Sequence, residues 1–589
     1  MKQKDLSPRM FVGVMIAVIT LVLVKAALAA TDLTAAFVTS GNDDIMRLVM
    51  IRDWLNGQDW FDTTQYRLVP PDGVLMHWSR YLDVAIAAFI FPLSFVFPME
   101  QAELIAVAIW PTLLMVLLIL TIGFGARRVF GTGPACVAML FAALWPFTSD
   151  FYFGVGHIDH HNVQVLMLAV MTLAAIWPDR AVLSGVVAGL AAAFSLAIGL
   201  ENLAYILVLG MTLLVRAIFD MDQWGTTRLR AFCAALCIAA PVLWLGQTAY
   251  ARLNAGVCDQ LGVPVLSLIA IASIASFAAT LPILRAPVAR LVVATTLTVI
   301  GCGLAWPALG ACITQPYADL PLVVQQIIGG AIVEALPGMN FAGRSPSLYH
   351  QMMTPVAVTL CLALVVWWSA RKQASSLQGH QVLGMLLILG SIGFLASFSQ
   401  MRLLSMASGV VPLLAGVGLW HLFCQYRNTH AAGYAITLLG TAVLILSPAL
   451  IEAPLRQALQ TAPTNTQNSR PNCPDMAIMA ALNELPPSQI LTPMNLGPLL
   501  LFATHHDAMS GPYHRSAGAY MNGLIPFQMA EGEMKAFLAK SGASHLVLCR
   551  GANHGDSFAT ALASGANPAW LRQVNISTQN LLVFEIIQD

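Results

Sequence analysis

The chain has 589 residues, of which 58% are hydrophobic and only 10% are charged. A soluble globular protein carries about 25% charged residues, so this composition excludes a mainly soluble protein and places most of the chain in a lipid bilayer. The 29 basic and 29 acidic residues cancel, which excludes a global field that recruits nucleic acid, and we expect no nucleic-acid partner.

The N-terminus is basic, with Lys2, Lys4 and Arg9, and an apolar run of about 20 residues follows it. Ala27-Leu28-Ala29-Ala30 resembles the cleavage site of a signal peptide. The run is long for the apolar part of a signal peptide, so we predict an uncleaved first span whose N-terminus lies inside the cell.

A polar segment from Thr31 to Arg80 comes next, followed by an apolar stretch, Tyr81 to Pro98, that Pro92 interrupts. That stretch predicts a re-entrant or interfacial helix instead of a crossing. Together with the first span, the later apolar runs predict about thirteen crossings on a criterion of about 20 residues each. They lie at 102–125, 134–150, 162–178, 181–200, 202–218, 231–250, 264–284, 291–311, 355–370, 382–399, 403–424 and 432–451.

The short basic loops set the orientation, because cytoplasmic loops carry an excess of Lys and Arg. All of them fall on one side when the stretch at 81–98 is not counted as a crossing. The opposite, outer side then carries the loops at 31–101, 151–161 and 312–354 and the C-terminal region. We therefore predict a multi-pass protein of a bacterial inner membrane, with a transmembrane domain over residues 1–451.

The region 452–589 is less apolar and begins with a segment rich in Pro, Asn and Thr, Ala462 to Pro474. It contains strand-like stretches such as His545 to Leu548 and Leu581 to Ile586. This pattern predicts a small α/β domain in the periplasm. The fold class is thus a polytopic α-helical membrane protein with a small C-terminal α/β domain outside the membrane.

Most of the ten cysteines lie in apolar stretches and are expected to be small core residues. Cys473 and Cys549 differ, because both lie in the polar C-terminal region. That region faces an oxidising compartment in the predicted topology, so we predict a disulfide between them.

Two groups of ionisable residues on the outer side suggest a metal site. Asp43 lies in the first outer loop, and Asp159 and His161 open a predicted span in the sequence Gly156-His157-Ile158-Asp159-His160-His161-Asn162. A carboxylate and an imidazole two residues apart can converge on one cation, to which Asp43 would add an oxygen. A solvated loop or a helix cap is the alternative interpretation of the same residues.

Two further outer residues are candidates on weaker grounds. Glu334 lies in the large outer loop, where a single Glu is usually solvated. Arg402 lies at the outer end of a span, where a single Arg usually extends to the interface.

In chain order, these segments resemble the motifs of the catalytic subunit of oligosaccharyltransferase, a glycosyltransferase of the GT-C type, in its bacterial and archaeal forms. The second acidic motif is similar to the archaeal Asp-x-His version, and the loop motif Thr-Ile-x-Glu has lost its first hydroxyl residue. The matching segments are Asn42-Asp43, Arg52-Asp53, Asp159-His160-His161, Ala331-Ile332-Val333-Glu334 and Met401-Arg402-Leu403-Leu404.

The resemblance implies the GT-C fold and inverting transfer of a sugar or oligosaccharide from a polyprenyl-(pyro)phosphate donor. It implies that Asp43, Asp159 and His161 bind Mg²⁺ or Mn²⁺, that Arg402 contacts the donor phosphate, and that Glu334 positions the acceptor or closes the outer loop. Asp43 would also orient the incoming nucleophile. The other partners are the bilayer and an envelope glycan, lipid or protein acceptor.

One departure from the family concerns the acceptor. The family's Trp-Trp-Asp-Tyr-Gly motif, which recognises the glycosylation sequon, is absent: after Trp420 the only tryptophan is Trp570. The segment Asn495-Leu496-Gly497-Pro498 occupies the corresponding region, with His505, His506, His514 and Arg515 downstream. It either contacts a different acceptor or forms an ordinary polar surface.

A transporter or flippase of lipid-linked or polar solutes is the alternative function. It predicts ionisable residues near the middle of the membrane and paired broken helices. The predicted spans carry their charges at one face instead, which favours the transferase.

Overall fold

The computed structural model of the chain describes residues 6–221, 224–314, 320–325, 335–370, 377–446 and 473–587. Up to residue 446 these residues form a helical domain, and residues 473–587 form a small α/β unit. The predicted boundary between residues 451 and 452 lies outside the described residues.

The helical domain contains nineteen α-helices among the described residues. In chain order they are α1 (Pro8–Ala29), α2 (Leu33–Val38), α3 (Asn42–Leu55), α4 (Arg80–Leu93), α5 (Met99–Phe130), α6 (Thr132–Leu144), α7 (Pro146–Ser149), α8 (His161–Ala175), α9 (Ala181–Ile198), α10 (Leu203–Ile218), α11 (Gly225–Leu245), α12 (Val263–Ala279), α13 (Pro287–Leu304), α14 (Trp306–Thr314), α15 (Gly338–Arg344), α16 (Pro346–Ala370), α17 (Leu377–Ala396), α18 (Val411–Thr429) and α19 (Ala432–Leu446).

Among these, seven helical stretches are long and apolar enough to cross a membrane. An eighth candidate is a broken span, in which a 3₁₀ segment, Met401–Ala407, meets α18 at an angle of 60°. Five shorter apolar helices, α6, α8, α10, α12 and α19, coincide with the remaining predicted runs. The polytopic fold class is confirmed, with seven or eight candidate crossings among the described residues, and the number of about thirteen stays a prediction.

Two glycines of α9 allow α9 and α11 to pack closely together. A Cβ added to Gly185 would lie 2.4 Å from the carbonyl oxygen of Arg228, and one added to Gly189 would lie 2.5 Å from that of Phe232. Larger residues at these two positions of α9 would push α11 away. This is the close backbone approach that small residues four apart permit between helices in a membrane.

The first outer loop folds into helices that do not cross. Helix α3 ends at Leu55, and the two nitrogens of Arg52 bind both oxygens of Glu103 at 2.7 and 2.6 Å. Helix α4 has 14 residues and is capped at its N-terminus by Ser79, whose hydroxyl accepts from the N–H of Tyr81. A crossing helix needs about 20 residues, so α4 agrees with the prediction of a non-crossing helix at 81–98.

Between α3 and α4, two short strands pair antiparallel, β1 (Thr64–Gln65) and β2 (Val74–Leu75). The C-terminal unit is built on a five-stranded sheet in the order β4-β3-β5-β7-β6, in which β3 is parallel to β4 and β5 and the other pairs are antiparallel. Its strands are β3 (Gln489–Leu491), β4 (Asp507–Ala508), β5 (His545–Cys549), β6 (Leu571–Val574) and β7 (Leu581–Ile586).

Five short α-helices accompany this sheet, and they are α20 (Met476–Ala480), α21 (Gly497–Ala503), α22 (Ala517–Leu524), α23 (Glu531–Leu538) and α24 (Phe558–Ala563). Strand β5 is the central strand, and its consecutive residues Leu546, Val547 and Leu548 are all buried, so both faces of the sheet are covered there. Both strand-like stretches predicted from the sequence are therefore strands of one sheet.

Two disulfides link described cysteines. The predicted pair Cys473–Cys549 is present, with its Cα atoms 5.6 Å apart. A second disulfide, Cys258–Cys312, joins the loop after α11 to helix α14, with Cα atoms 5.2 Å apart. The sequence analysis did not identify it, because neither cysteine lies in a polar domain.

Candidate active site

Asp44, in the first turn of α3, fixes the loop that carries the predicted metal ligands. Its Oδ1 atom accepts from the backbone N–H groups of Ile158 and Asp159 at 2.6 and 2.8 Å. Its Oδ2 atom lies 3.2 Å from Nδ1 of His157. One carboxylate near a helix N-terminus thus holds three consecutive loop residues in place.

Arg47, one turn further along α3, joins the first outer loop to the same site. Its Nη2 atom lies 3.0 Å from Oδ1 of Asp159, and its Nη1 atom lies 3.1 Å from Oδ1 of Asp83. Arg80 binds the other oxygen of Asp83 at 3.1 Å. The side chains of Arg47, Arg80 and Asp83 are fully buried, and such a network is stable only when every charge keeps its partner.

Asp159, His160 and His161 converge at the start of α8. His160 Nδ1 lies 2.7 Å from Oδ1 of Asp159, and His161 Nε2 lies 3.5 Å from its Oδ2. On the other side, His160 Nε2 lies 3.0 Å from Oε1 of Glu201, whose second oxygen accepts from Gln164 at 2.7 Å. One ligand atom from each of the three residues lies within 4.8 Å of the other two.

The opposite charges of His160 and of the carboxylates Asp159 and Glu201 stabilise one another. Burial alone lowers the pKa of His160, but the flanking Asp159 and Glu201 raise it to about 10. Burial alone raises the pKa of Asp159 and of Glu201, but His160 and other nearby cations hold both well below their usual values. The site is therefore built to hold positive charge between two carboxylates.

The chemistry of these donors fits a divalent cation. Two imidazoles and a carboxylate converge within 4.8 Å, and Glu201 offers a second carboxylate next to them. Imidazole nitrogen and carboxylate oxygen are common ligands of divalent transition metals and of Mn²⁺. The carboxylates of Asp159 and Glu201 would stabilise the positive charge of a cation bound at this position.

Arg402 lies on the same side of the molecule. It lies in the 3₁₀ segment Met401–Ala407 of the broken span, and its Nε atom donates to Oε1 of Gln400 at 3.2 Å. Its charge is among those that lower the pKa of Glu201. Arg402 thus acts electrostatically on Glu201, although about two hundred residues separate them in the sequence.

The C-terminal domain covers the site. Asn42 donates to Oδ1 of Asn495 at 3.1 Å, and its backbone oxygen accepts from the Tyr513 hydroxyl at 3.2 Å. Arg52 donates to the backbone oxygen of Phe502 at 2.8 Å and lies 3.9 Å above its ring. The segment proposed as an acceptor contact therefore rests against the first turn of α3.

Tyr513 shows that Asp43 and Asp159 share this covered region. Burial and the nearby charges of Asp43 and Asp159 raise the pKa of Tyr513 well above its usual value. Asp43 is not a member of the described cluster whose ligand atoms converge within 4.8 Å. Its role as a metal ligand stays a prediction.

Other residues predicted from the sequence have different outcomes. Glu334 lies outside the described residues. His160 had no assigned role, yet it contacts both Asp159 and Glu201. Arg47, Asp83 and Glu201 were not assigned to the site either. For Arg47 a signal exists in the sequence: it stands between apolar residues in Ile45-Met46-Arg47-Leu48-Val49, and a charge buried among them needs a partner.

No protein-family profile and no curated protein matches the sequence. Among solved structures, the apo oligosaccharyltransferase of Archaeoglobus fulgidus gives a TM-score of 0.64 at 14% identity, covering 92% of this chain and 70% of that one. The archaeal oligosaccharyltransferase AglB from the same organism, in complex with an inhibitory peptide and a dolichol-phosphate, gives 0.62 at 15% identity, covering 90% and 69%.

The chain shares the fold of these archaeal oligosaccharyltransferases. A third structure, the A. fulgidus enzyme in complex with Zn and sulfate, gives a TM-score of 0.55 at 15% identity and covers 90% of this chain and 68% of that one. The resemblance in fold that the sequence motifs implied is confirmed. At 14–15% identity the likeness is one of fold alone.

Proposed function

We propose that the chain is a membrane glycosyltransferase that transfers a sugar or oligosaccharide from a polyprenyl-(pyro)phosphate donor to an envelope glycan, lipid or protein acceptor. The observation that carries the proposal is the convergence of Asp159, His160 and His161 beside Glu201, with Arg402 close to Glu201, at the outer end of the bundle. The reaction would be displacement at the anomeric carbon, with the lipid phosphate as leaving group.

The residues have distinct roles in this proposal. Asp159 and His161, together with Asp43, would hold Mg²⁺ or Mn²⁺. When bound, that cation supplies positive charge to a leaving phosphate. Arg402 donates hydrogen bonds to the same phosphate and stabilises it most in the transition state, where its charge is greatest.

The remaining residues position these groups. Arg47 holds Asp159 from the buried side, and Asp44 holds the backbone of the same loop. Asp43 orients the incoming nucleophile by accepting its hydrogen bond, and Glu334 positions the acceptor. Inversion at the anomeric carbon follows from a single displacement.

The distribution of charge argues against the transporter alternative. Among the described crossing helices, Asp, Glu, Lys and Arg occur close to the helix ends, as Lys25, Glu103 and Arg216 illustrate. Lys25 itself pairs with Asp150 at 2.7 Å. A transporter of the broken-helix type places such residues near the middle of the membrane.

Both disulfides support a periplasmic active site. In the predicted topology of a bacterial inner membrane, Cys258–Cys312 and Cys473–Cys549 fall on the side that also carries Asp159 and Arg402. Disulfides form in the periplasm and are rare in the cytoplasm. The basic ends of α5 and α10, with Arg128 and Arg216, face the other side, as the positive-inside rule requires.

Mass spectrometry of polyprenyl-linked sugars and of envelope glycans in a deletion strain tests this function. We expect one lipid-linked sugar to accumulate and one envelope glycan to lose the same sugar. Wild-type protein should reverse both changes, whereas His161→Ala, made in equal amount, should reverse neither. Unchanged lipid-linked sugars and glycans in the deletion strain would contradict the proposal.

A further inference from the structure

A second group of potential metal ligands lies where three outer segments meet. His77 belongs to the first outer loop, Asp259 to the loop after α11, and His514 to the C-terminal domain. One ligand atom from each of these residues lies within 4.8 Å of the other two. No residue of this group belongs to the cluster at Asp159.

The contacts within the group are already close to those of a metal centre. His514 Nε2 lies 2.9 Å from Oδ2 of Asp259, and the rings of His77 and His514 have centroids 4.6 Å apart. In a tetrahedral site with zinc bonds of about 2.0–2.1 Å, neighbouring ligand atoms lie about 3.3 Å apart. A shift of a few tenths of an ångström would therefore open the His514–Asp259 contact for a cation.

The segments that carry the ligands are held firmly. Asp259 follows Cys258, which the disulfide to Cys312 fixes against α14. Trp78, next to His77, is buried and packs edge-on against Tyr513 with ring centroids 5.7 Å apart. The three side chains are thus positioned by packing and by a covalent link before any ion binds, which lowers the cost of binding.

We propose that His77, Asp259 and His514 form a Zn²⁺ site that fastens the C-terminal domain to the membrane domain. Two imidazoles and one carboxylate are ligands that zinc prefers, whereas Mg²⁺ and Ca²⁺ prefer sites made of oxygen atoms. Three protein ligands leave a fourth position open for water or for an anionic group. The site does not depend on the proposed transferase function.

Arg515 already binds Asp259 and so competes with a metal for its carboxylate oxygens. Its Nη2 atom donates to Oδ1 at 2.7 Å and its Nε atom donates to Oδ2 at 2.8 Å. An ionised carboxylate offers about four lone pairs, so Oδ2 can accept from Arg515 and bind a metal through a second lone pair. In this arrangement Arg515 orients the carboxylate, as partners of metal-binding carboxylates commonly do.

Zinc binding should stabilise the contact between the domains, because the three ligands come together only when the domains are docked. The test measures bound zinc in purified full-length protein of a His161→Ala background, which removes a predicted ligand of the other cluster. We expect about one zinc per chain by elemental analysis, and we expect its loss on a further His77→Gln change. His430→Gln, at the exposed end of α18, serves as the matched control.

Co²⁺ provides a second measurement in the same background. We expect the visible absorption of tetrahedral Co²⁺ in the His161→Ala protein, which keeps His77. The same absorption should be absent after the further His77→Gln change. Added Zn²⁺ should also slow proteolysis between the two domains in the His77 protein only. Correct folding of each variant is checked by its two disulfides and its elution as a single species. Equal zinc contents with and without His77→Gln, or no bound zinc at micromolar concentrations, would overturn the proposal.

Discussion

Arg47 and Asp159 form an ion pair between the first outer loop and the start of α8, across 112 residues of sequence, with Nη2 and Oδ1 3.0 Å apart. Arg47 is fully buried and binds Asp83 with its other terminal nitrogen. The loop that carries the proposed metal ligands is therefore anchored by the guanidinium of Arg47, which is fully buried.

Replacing Arg47 with Met should strongly destabilise the protein. The change leaves Asp83 and Asp159 without a shared cation, and breaking a buried ion pair typically costs about 3–5 kcal/mol. We expect a large drop in the midpoint of thermal unfolding in detergent. Adding Asp83→Asn should lower stability further, because it leaves the buried Arg80 without its carboxylate, and recovery in the double variant would contradict this account of the network.

Glu201 should be needed for metal affinity although it was not predicted as a ligand. It contacts His160 at 3.0 Å, and His160 in turn lies 2.7 Å from the proposed ligand Asp159. Changes to residues that orient metal ligands commonly cost about 10–100-fold in metal affinity or activity. We expect Glu201→Gln to weaken Mn²⁺ binding in a titration by that factor, whereas Glu533→Gln in the C-terminal domain should have no effect.

Arg402 should act mainly on the rate of the chemical step. Removing one group that stabilises charge in a transition state costs about 10²–10³-fold in kcat. We expect Arg402→Ala to lose activity by that factor, and Arg402→Lys to recover only part, because a point charge lacks the planar fork of a guanidinium. Arg427→Ala, exposed at the opposite end of α18, is the control. Full activity in Arg402→Lys would argue against bidentate phosphate binding.

The two disulfides can be counted directly. Of ten cysteines, six are free. Alkylation of the denatured, unreduced protein should therefore label six cysteines, and prior reduction should make all ten reactive. Cys473→Ser should lower stability by about 4 kcal/mol, since the bond closes a long loop. Labelling of Cys258 or Cys312 without reduction would remove one argument for the periplasmic orientation.

The crossings could be predicted from the sequence, because about 20 apolar residues in a row have few alternatives in a bilayer. Strands β5 and β7 were also predicted, since each is a short run of apolar residues between turn signals. The break between Met401–Ala407 and α18 was not predicted, because the residues on both sides of it are similarly apolar.

The partners within the site could not be predicted in the same way. A buried Arg such as Arg47 needs a counter-charge, but the sequence does not say that α3 packs beneath the 157–161 loop. Glu201 lies between two apolar runs, and only the packing of α8 against α9 brings it to His160. The disulfide of Cys258 depends on a long-range contact of the same kind, since Cys312 lies 54 residues away.

The central claim is that sugar transfer depends on a metal held by Asp159 and His161. His161→Ala is the cleaner variant, because Asp159 is also bound to buried Arg47 and its loss affects folding as well. The decisive measurement is transfer from a lipid-linked donor in membranes, by mass spectrometry of the product, with and without chelator. We predict that chelation stops the wild-type reaction, that Mg²⁺ or Mn²⁺ restores it, and that correctly inserted His161→Ala stays inactive under every condition. Undiminished transfer by His161→Ala and by chelated wild type would contradict the claim.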